Sequence, residues 1–164
     1  MRSMRTLAVN WAHGSWLLAA VIVLAGCGGA PDDPEQQIRD LFARLETSAE
    51  ARETGPFRDA LVESYSDNRH PNRAAALQSL RAYLRYYGNV HLFSAIRSID
   101  IDAGNERAEA VVFVALTAVP VESVGQLVSV KADAFRFDVS LVGDDGQWQV
   151  AKSEWRRIAS DDFL

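Results

Sequence analysis

Few side chains in this sequence have the type and spacing to do chemistry. The only cysteine, Cys27, directly follows the apolar run Trp16–Leu24 and two small residues, Ala25 and Gly26, which makes it the one candidate for covalent modification. A second group could form an acid–base site. Tyr83 and Tyr87 fall on one apolar face of a helical stretch, and Asp100, Asp133 and Glu154 lie on strand-like stretches that can face it. A carboxyl group beside a tyrosine in an apolar cavity can polarise a carbonyl. The plainer alternative is that the tyrosines bury their rings, while the acids pair across strands with neighbours such as Arg97, Arg136 and Lys152. His70 stands near Asp67 in a polar stretch, and His91 stands alone; neither has the spacing of a metal-ligand set, so no metal is expected. The sequence has no Gly-x-Ser-x-Gly, no phosphate-cradling glycine loop, no His-Glu-x-x-His and no paired cysteines. No catalytic residue is assigned and no cofactor is expected.

The N-terminus explains Cys27. Arg2 and Arg5 supply positive charge with no acid, and the apolar run follows. Translation from Met4 would keep Arg5. Charge, a short apolar core and small residues at a cut site make a secretory signal. The run falls short of the roughly 20 residues a membrane span needs. Leu24-Ala25-Gly26-Cys27 resembles the lipobox of bacterial lipoproteins. The resemblance implies cleavage before Cys27, acylation of its thiol and amino group, and anchoring in the cell envelope. In didermal bacteria an aspartate after the cysteine favours the inner membrane. Here that residue is Gly28, so the expected location is the outer membrane, facing the periplasm.

Removing residues 1–26 leaves 138 residues and moves the net charge from −5 to −7. That length suits one domain with a real core. An acidic surface argues against nucleic acid and against electrostatic adhesion to anionic lipid. The acyl chains on Cys27 are therefore the expected membrane contact. With the sole thiol lipidated, no internal disulfide is available.

Residues 27–33 read as a lipidated tether, because glycine and proline oppose regular structure. A helix follows, capped by Asp33 with Gln36 closing a capping box, with Ile38, Leu41, Phe42, Leu45 and Ala49 at helical spacing; Gly55 and Pro56 stop it near Thr54. Glu35/Arg39 and Asp40/Arg44 are i,i+4 pairs on its outer faces. Phe57 to Ser64 reads as a second, shorter helix. Asn72 caps a third, which Gly88-Asn89 ends. Strands are expected over 91–102, 108–119, 131–142 and 148–158. The run Val111–Leu116 is apolar enough to be covered on both sides, and the last strand shifts phase between Val150 and Trp155, which suggests a bulge near Lys152–Glu154. The apolar residues of the Pro120–Val130 connection read either as a hairpin continuing two strands or as an exposed partner surface. Residues 159–164 read as a frayed tail. Helices followed by a meander are an α+β layout.

This order of elements, with the closing Asp145-Gly146-Gln147-Trp148 turn and the run from Ala134 to Trp155, resembles the nuclear transport factor 2-like superfamily over residues 34–158. That superfamily includes ketosteroid isomerases and polyketide cyclases. The resemblance implies three helices packed in the concave face of a curved, mostly antiparallel sheet of four or more strands, forming a cone with an apolar pocket. Tyr83, Tyr87, Phe135, Phe137 and Trp148 are the residues expected around it. In enzymes of the superfamily an acid and a tyrosine inside the pocket do the work, and no position of this chain is matched to them. The first functional reading is a non-catalytic domain that binds a small apolar ligand or a protein partner, homodimerisation included. The second is a small-molecule isomerase, dehydratase or cyclase. A cavity filled by Phe135, Phe137, Trp148 and Leu41 would favour the first. A closed apolar cavity with a buried, unpaired acid within reach of a tyrosine would favour the second.

Overall fold

The computed structural model of the protein describes residues 33–86, 91–144 and 146–163. Helix α1 spans Pro34–Glu50, α2 Gly55–Ala60, strand β1 Leu61–Asp67, α3 Arg73–Tyr86, β2 His91–Ile101, β3 Arg107–Thr117, α4 Val124–Leu127, β4 Ala132–Asp144 and β5 Gln147–Ile158; a 3-10 turn, Ser160–Phe163, follows. The five strands form one sheet in the order β1-β5-β4-β3-β2. β2 to β5 are an antiparallel meander, and β1 adds to the edge parallel to β5. The expected α+β architecture is the observed one, with one strand more than the minimum. Among the described residues no helix is long and apolar enough to cross a membrane.

The start of α1 follows its sequence. Asp33 accepts the Glu35 N–H at 3.0 Å, and Pro34 occupies the first turn, where a missing N–H costs nothing. Gln36 does not close a capping box; its side chain donates to Asp40 at 2.8 Å, so the Asp40/Arg44 pair is not made, whereas Arg39 does bond Glu35. The helix ends at Glu50 and not near Thr54, because Arg52 takes a left-handed φ of 59°. Gly55 and Pro56 open α2 instead of stopping α1.

The larger correction is the second helix. It covers only Gly55–Ala60, and Leu61–Asp67 is a strand. Phe57, Ala60, Leu61 and Tyr65 fit a helical spacing, but so short an apolar run also fits a strand, and the free edge of β5 decides between them. Asn72 caps α3 as expected, accepting the Ala75 N–H at 2.9 Å.

The sheet packs on both faces. On the concave side Ile38, Leu41, Tyr65, Val112, Leu141 and Trp148 form the main core with α1 and α2. On the outer side Phe113, Ala115, Val121, Leu127, Ala134 and Phe163 form a second cluster. Val111–Leu116 is therefore covered on both sides, as its composition implies. The Pro120–Val130 connection is no hairpin. Ser123 caps the short α4, which folds the fully buried Leu127 onto the outer face and leaves Val119 and Val128 exposed. The terminal segment does not fray: Phe163 is 1 % exposed and meets the Phe113 ring edge-on at 5.4 Å.

Two glycines shape the β4–β5 hairpin. Gly146 has a φ of 76°. At Gly143 a Cβ would lie 3.2 Å from the Trp148 ring and 3.0 Å from the Asn105 carbonyl oxygen, so a side chain there would push on the packing of Trp148. The expected bulge is present. Ser140 pairs with Lys152 and Leu141 with Val150, leaving Ala151 as the extra residue. Its effect is to change which residues face inward: Trp148 and Val150 before it, Ser153 and Trp155 after it.

Candidate active site

An apolar cavity of about 460 Å³ lies between α1, α3, β1 and the concave face of the sheet. Phe42, Leu45, Leu80, Val114, Phe135 and Phe137 supply much of its wall. Phe137 stacks on Trp155 at 5.9 Å, and Phe135 meets the same indole edge-on at 5.7 Å.

Polar groups gather at one end, where β1 runs into the loop before α3. Asp67, the last residue of β1, accepts the Arg69 and His70 N–H groups on Oδ1 at 2.7 and 2.8 Å. This tight turn brings the His70 ring back onto the carboxylate, with Nδ1 2.8 Å from Oδ2 and 3.0 Å from Oδ1. Asn68 fastens the loop to β5, donating to the Trp155 carbonyl at 2.9 Å and accepting the Trp155 N–H at 3.2 Å. On the other side of Asp67 the Tyr65 hydroxyl is 3.1 Å from Oδ2 and 2.7 Å from Ser153 Oγ. Ser153 reaches it because the Ala151 bulge turns it inward.

The electrostatics set the proton positions. The Asp67 side chain is 3 % exposed. Burial alone would raise its carboxyl, but the bonds from the His70 ring and from the Arg69 and His70 N–H groups outweigh it and hold the group below its ordinary value. Tyr65 is pushed up to about 12, first by burial, then by the Asp67 charge, against a lowering bond from Ser153. An ionised carboxylate only accepts, so the Tyr65 hydroxyl donates to Asp67 and Ser153 donates to Tyr65. By the same reasoning His70 carries its proton on Nδ1. The His70 ring lines the cavity and its Nε2 has no hydrogen-bond partner among the described residues, so in the neutral ring Nε2 carries the lone pair. Such a ring is arranged to take a proton from a bound molecule. Farther along the wall, Ser94 Oγ donates to Glu46 Oε2.

Of the residues the sequence marks for the pocket, Tyr83, Phe135 and Phe137 line the cavity. Trp148 does not: it is buried below, with Nε1 donating to Gln37 at 3.1 Å, and it borders a separate, more polar cleft with Leu41, Arg44 and Asp59. Tyr87 and Cys27 lie outside the described residues. None of the strand acids lines the cavity: Asp133 pairs across strands with Arg157, Glu154 pairs with Lys152 along its own strand, and Asp100 makes no ion pair among the described residues. The acids that do line it are Glu46 and Asp67. Sequence reasoning noticed Asp67 beside His70 but left both in a solvated loop. Among the described residues no group of three or more His, Cys, Asp or Glu could hold a metal ion.

No protein-family model matches the sequence, and no curated protein matches it. Solved structures do match in three dimensions. A candidate scytalone dehydratase from Novosphingobium aromaticivorans superposes with a TM-score of 0.62 at 14 % identity, covering 76 % of this chain and 84 % of that one. The protein LinA superposes at 0.59 and 15 % identity, covering 76 % and 86 %. An NTF2-like protein of unknown function from Silicibacter pomeroyi superposes at 0.57 and 11 % identity, covering 76 % and 95 %. The chain thus has the nuclear transport factor 2-like fold.

Proposed function

We propose that this protein is a small-molecule acid–base enzyme of the isomerase or dehydratase kind, with His70 as general base, Asp67 orienting it, and Tyr65, itself bonded by Ser153, holding Asp67. One observation carries the reading: a buried, ionised carboxylate grips one nitrogen of a histidine whose other nitrogen is unpartnered, at the wall of an apolar cavity. The bound substrate loses a proton to Nε2, and the Asp67 charge stabilises the imidazolium that forms. The likeness to a candidate scytalone dehydratase agrees with this chemistry. The competing reading, an apolar-ligand carrier without chemistry, draws on the aliphatic and aromatic wall.

The test is proton–deuteron exchange at the α-carbon of 2-tetralone, an apolar ketone, followed by NMR in heavy water. The account expects exchange above buffer that falls by about 100-fold or more in His70→Ala. Equal rates in the two proteins would leave only the carrier.

We further propose that the enzyme is a lipoprotein, tethered through lipid on Cys27 and residues 28–33 in the cell envelope, at the outer membrane facing the periplasm. The Leu24–Cys27 motif and the start of the folded domain directly after this short spacer support that reading. Cys27→Ser should abolish the acyl mass shift and block processing; a variant still cleaved and acylated would refute it.

A further inference from the structure

We infer that Arg69 is the anion-recognition residue of the cavity, and that the molecule bound there is apolar with a single carboxylate. This rests on the acid–base reading of the same cavity and adds the substrate class. The cavity wall holds three charged side chains besides His70: Glu46, Asp67 and Arg69. Glu46 is bonded by Ser94, and Asp67 by His70 and Tyr65. Arg69 alone has no acid and no side-chain hydrogen bond among the described residues.

Its guanidinium is nonetheless positioned. Its Cζ lies 4.3 Å from the centre of the Trp155 ring, the same indole that packs on Phe135 and Phe137 in the wall. Contact with the indole face holds the group without using its N–H donors, which stay available to take a carboxylate. The backbone fixes it next to the base, because the Arg69 and His70 N–H groups share one oxygen of Asp67. A carboxylate on Arg69 therefore sets the neighbouring carbons of an apolar molecule at the His70 end.

The test is calorimetric titration of the full chain with 2-naphthoate and with uncharged 2-naphthamide, which match in shape. The proposal expects naphthoate to bind about tenfold more tightly or better, with the gap narrowing as salt rises. Arg69→Gln should bring the two affinities together, and Arg69→Lys should restore part of the gap. Equal affinities in the unaltered protein, a preference that survives Arg69→Gln, or no binding of either probe would each overturn it. 2-Tetralone has no charge, so exchange without a naphthoate preference overturns the anion site alone. A naphthoate preference without exchange overturns the base alone.

Discussion

The two faces of the sheet use the same strands to opposite ends. On the outer face the apolar residues are sealed: Phe163 and Leu127 close over Phe113, Ala115 and Ala134, and Arg97 lies over the Phe113 ring at 4.9 Å. The rest of that face carries charges that answer one another, Arg136 with Asp138 and Lys152 with Glu154. On the concave face the apolar residues do not close, and a cavity remains, with Ser153, Tyr65, Asp67 and His70 tied into a chain at one end. Satisfied polar groups outside stabilise little and do no chemistry. The chain of polar groups at that end of the cavity finishes on His70 Nε2, which has no hydrogen-bond partner among the described residues. Function on this fold is thus a matter of which hydrogen bond is left open.

That contrast can be broken from either side. The largest expected effect on stability lies on the outer face. Phe163→Ala should cost about 3–5 kcal/mol in denaturant unfolding, since the ring is buried at the centre of its cluster. It should leave 2-tetralone exchange unchanged at temperatures where the protein stays folded. A smaller cost, about 1–3 kcal/mol, is expected for Asp67→Asn, which disturbs a buried acceptor of several bonds. The same substitution should also change the acid limb of stability. The folded value of Asp67 is depressed, so its contribution is present above the ordinary carboxylate range and is lost as pH falls through the folded value. A scan of melting temperature against pH should show a shallower acid limb in Asp67→Asn.

Tyr65→Phe sharpens the alkaline side. Tyr65 is raised from 10.0 to about 12, so its stabilising share is present below pH 10 and is lost as pH climbs towards 12. The phenylalanine variant should lack that alkaline loss. At neutral pH it should cost about 1 kcal/mol for the missing bonds. The smallest effect belongs to the outer charges. Lys152→Ala should shift stability by no more than about 0.5 kcal/mol, because both partners of its pair are more than half exposed.

The legibility of the sequence follows the same division. Alternation in 131–142 assigned Phe135 and Phe137 to one face and Arg136 and Asp138 to the other, and the structure keeps them there. Helix α1, the cap at Asn72 and a bulge in the last strand were readable from local residue types. The site was not, because it depends on two non-local choices. Tyr65 enters the cavity only because 61–67 pairs with β5 as a strand, and the spacing of Phe57, Ala60, Leu61 and Tyr65 suits a helix as well. Ser153 faces it only because the extra residue is Ala151, inside the Val150–Trp155 span of the phase change but one position before the Lys152–Glu154 stretch it suggests for the bulge. Asp67 and His70 stand three residues apart, a spacing that closes a tight turn, but nothing local says whether water or a cavity lies beyond it. Phe163 was missed for a similar reason: a terminal Ser-Asp-Asp-Phe carries no period, and only the outer face of β3 gives the ring a place.

The claim on which the rest depends is the tautomer of His70. Nitrogen-15 NMR of the imidazole ring at mildly alkaline pH reads it directly. The account predicts a protonated Nδ1 and a bare Nε2, with the Nε2 signal moving when 2-tetralone is added. A proton resident on Nε2, or an Nε2 signal that ignores the ligand, would contradict it.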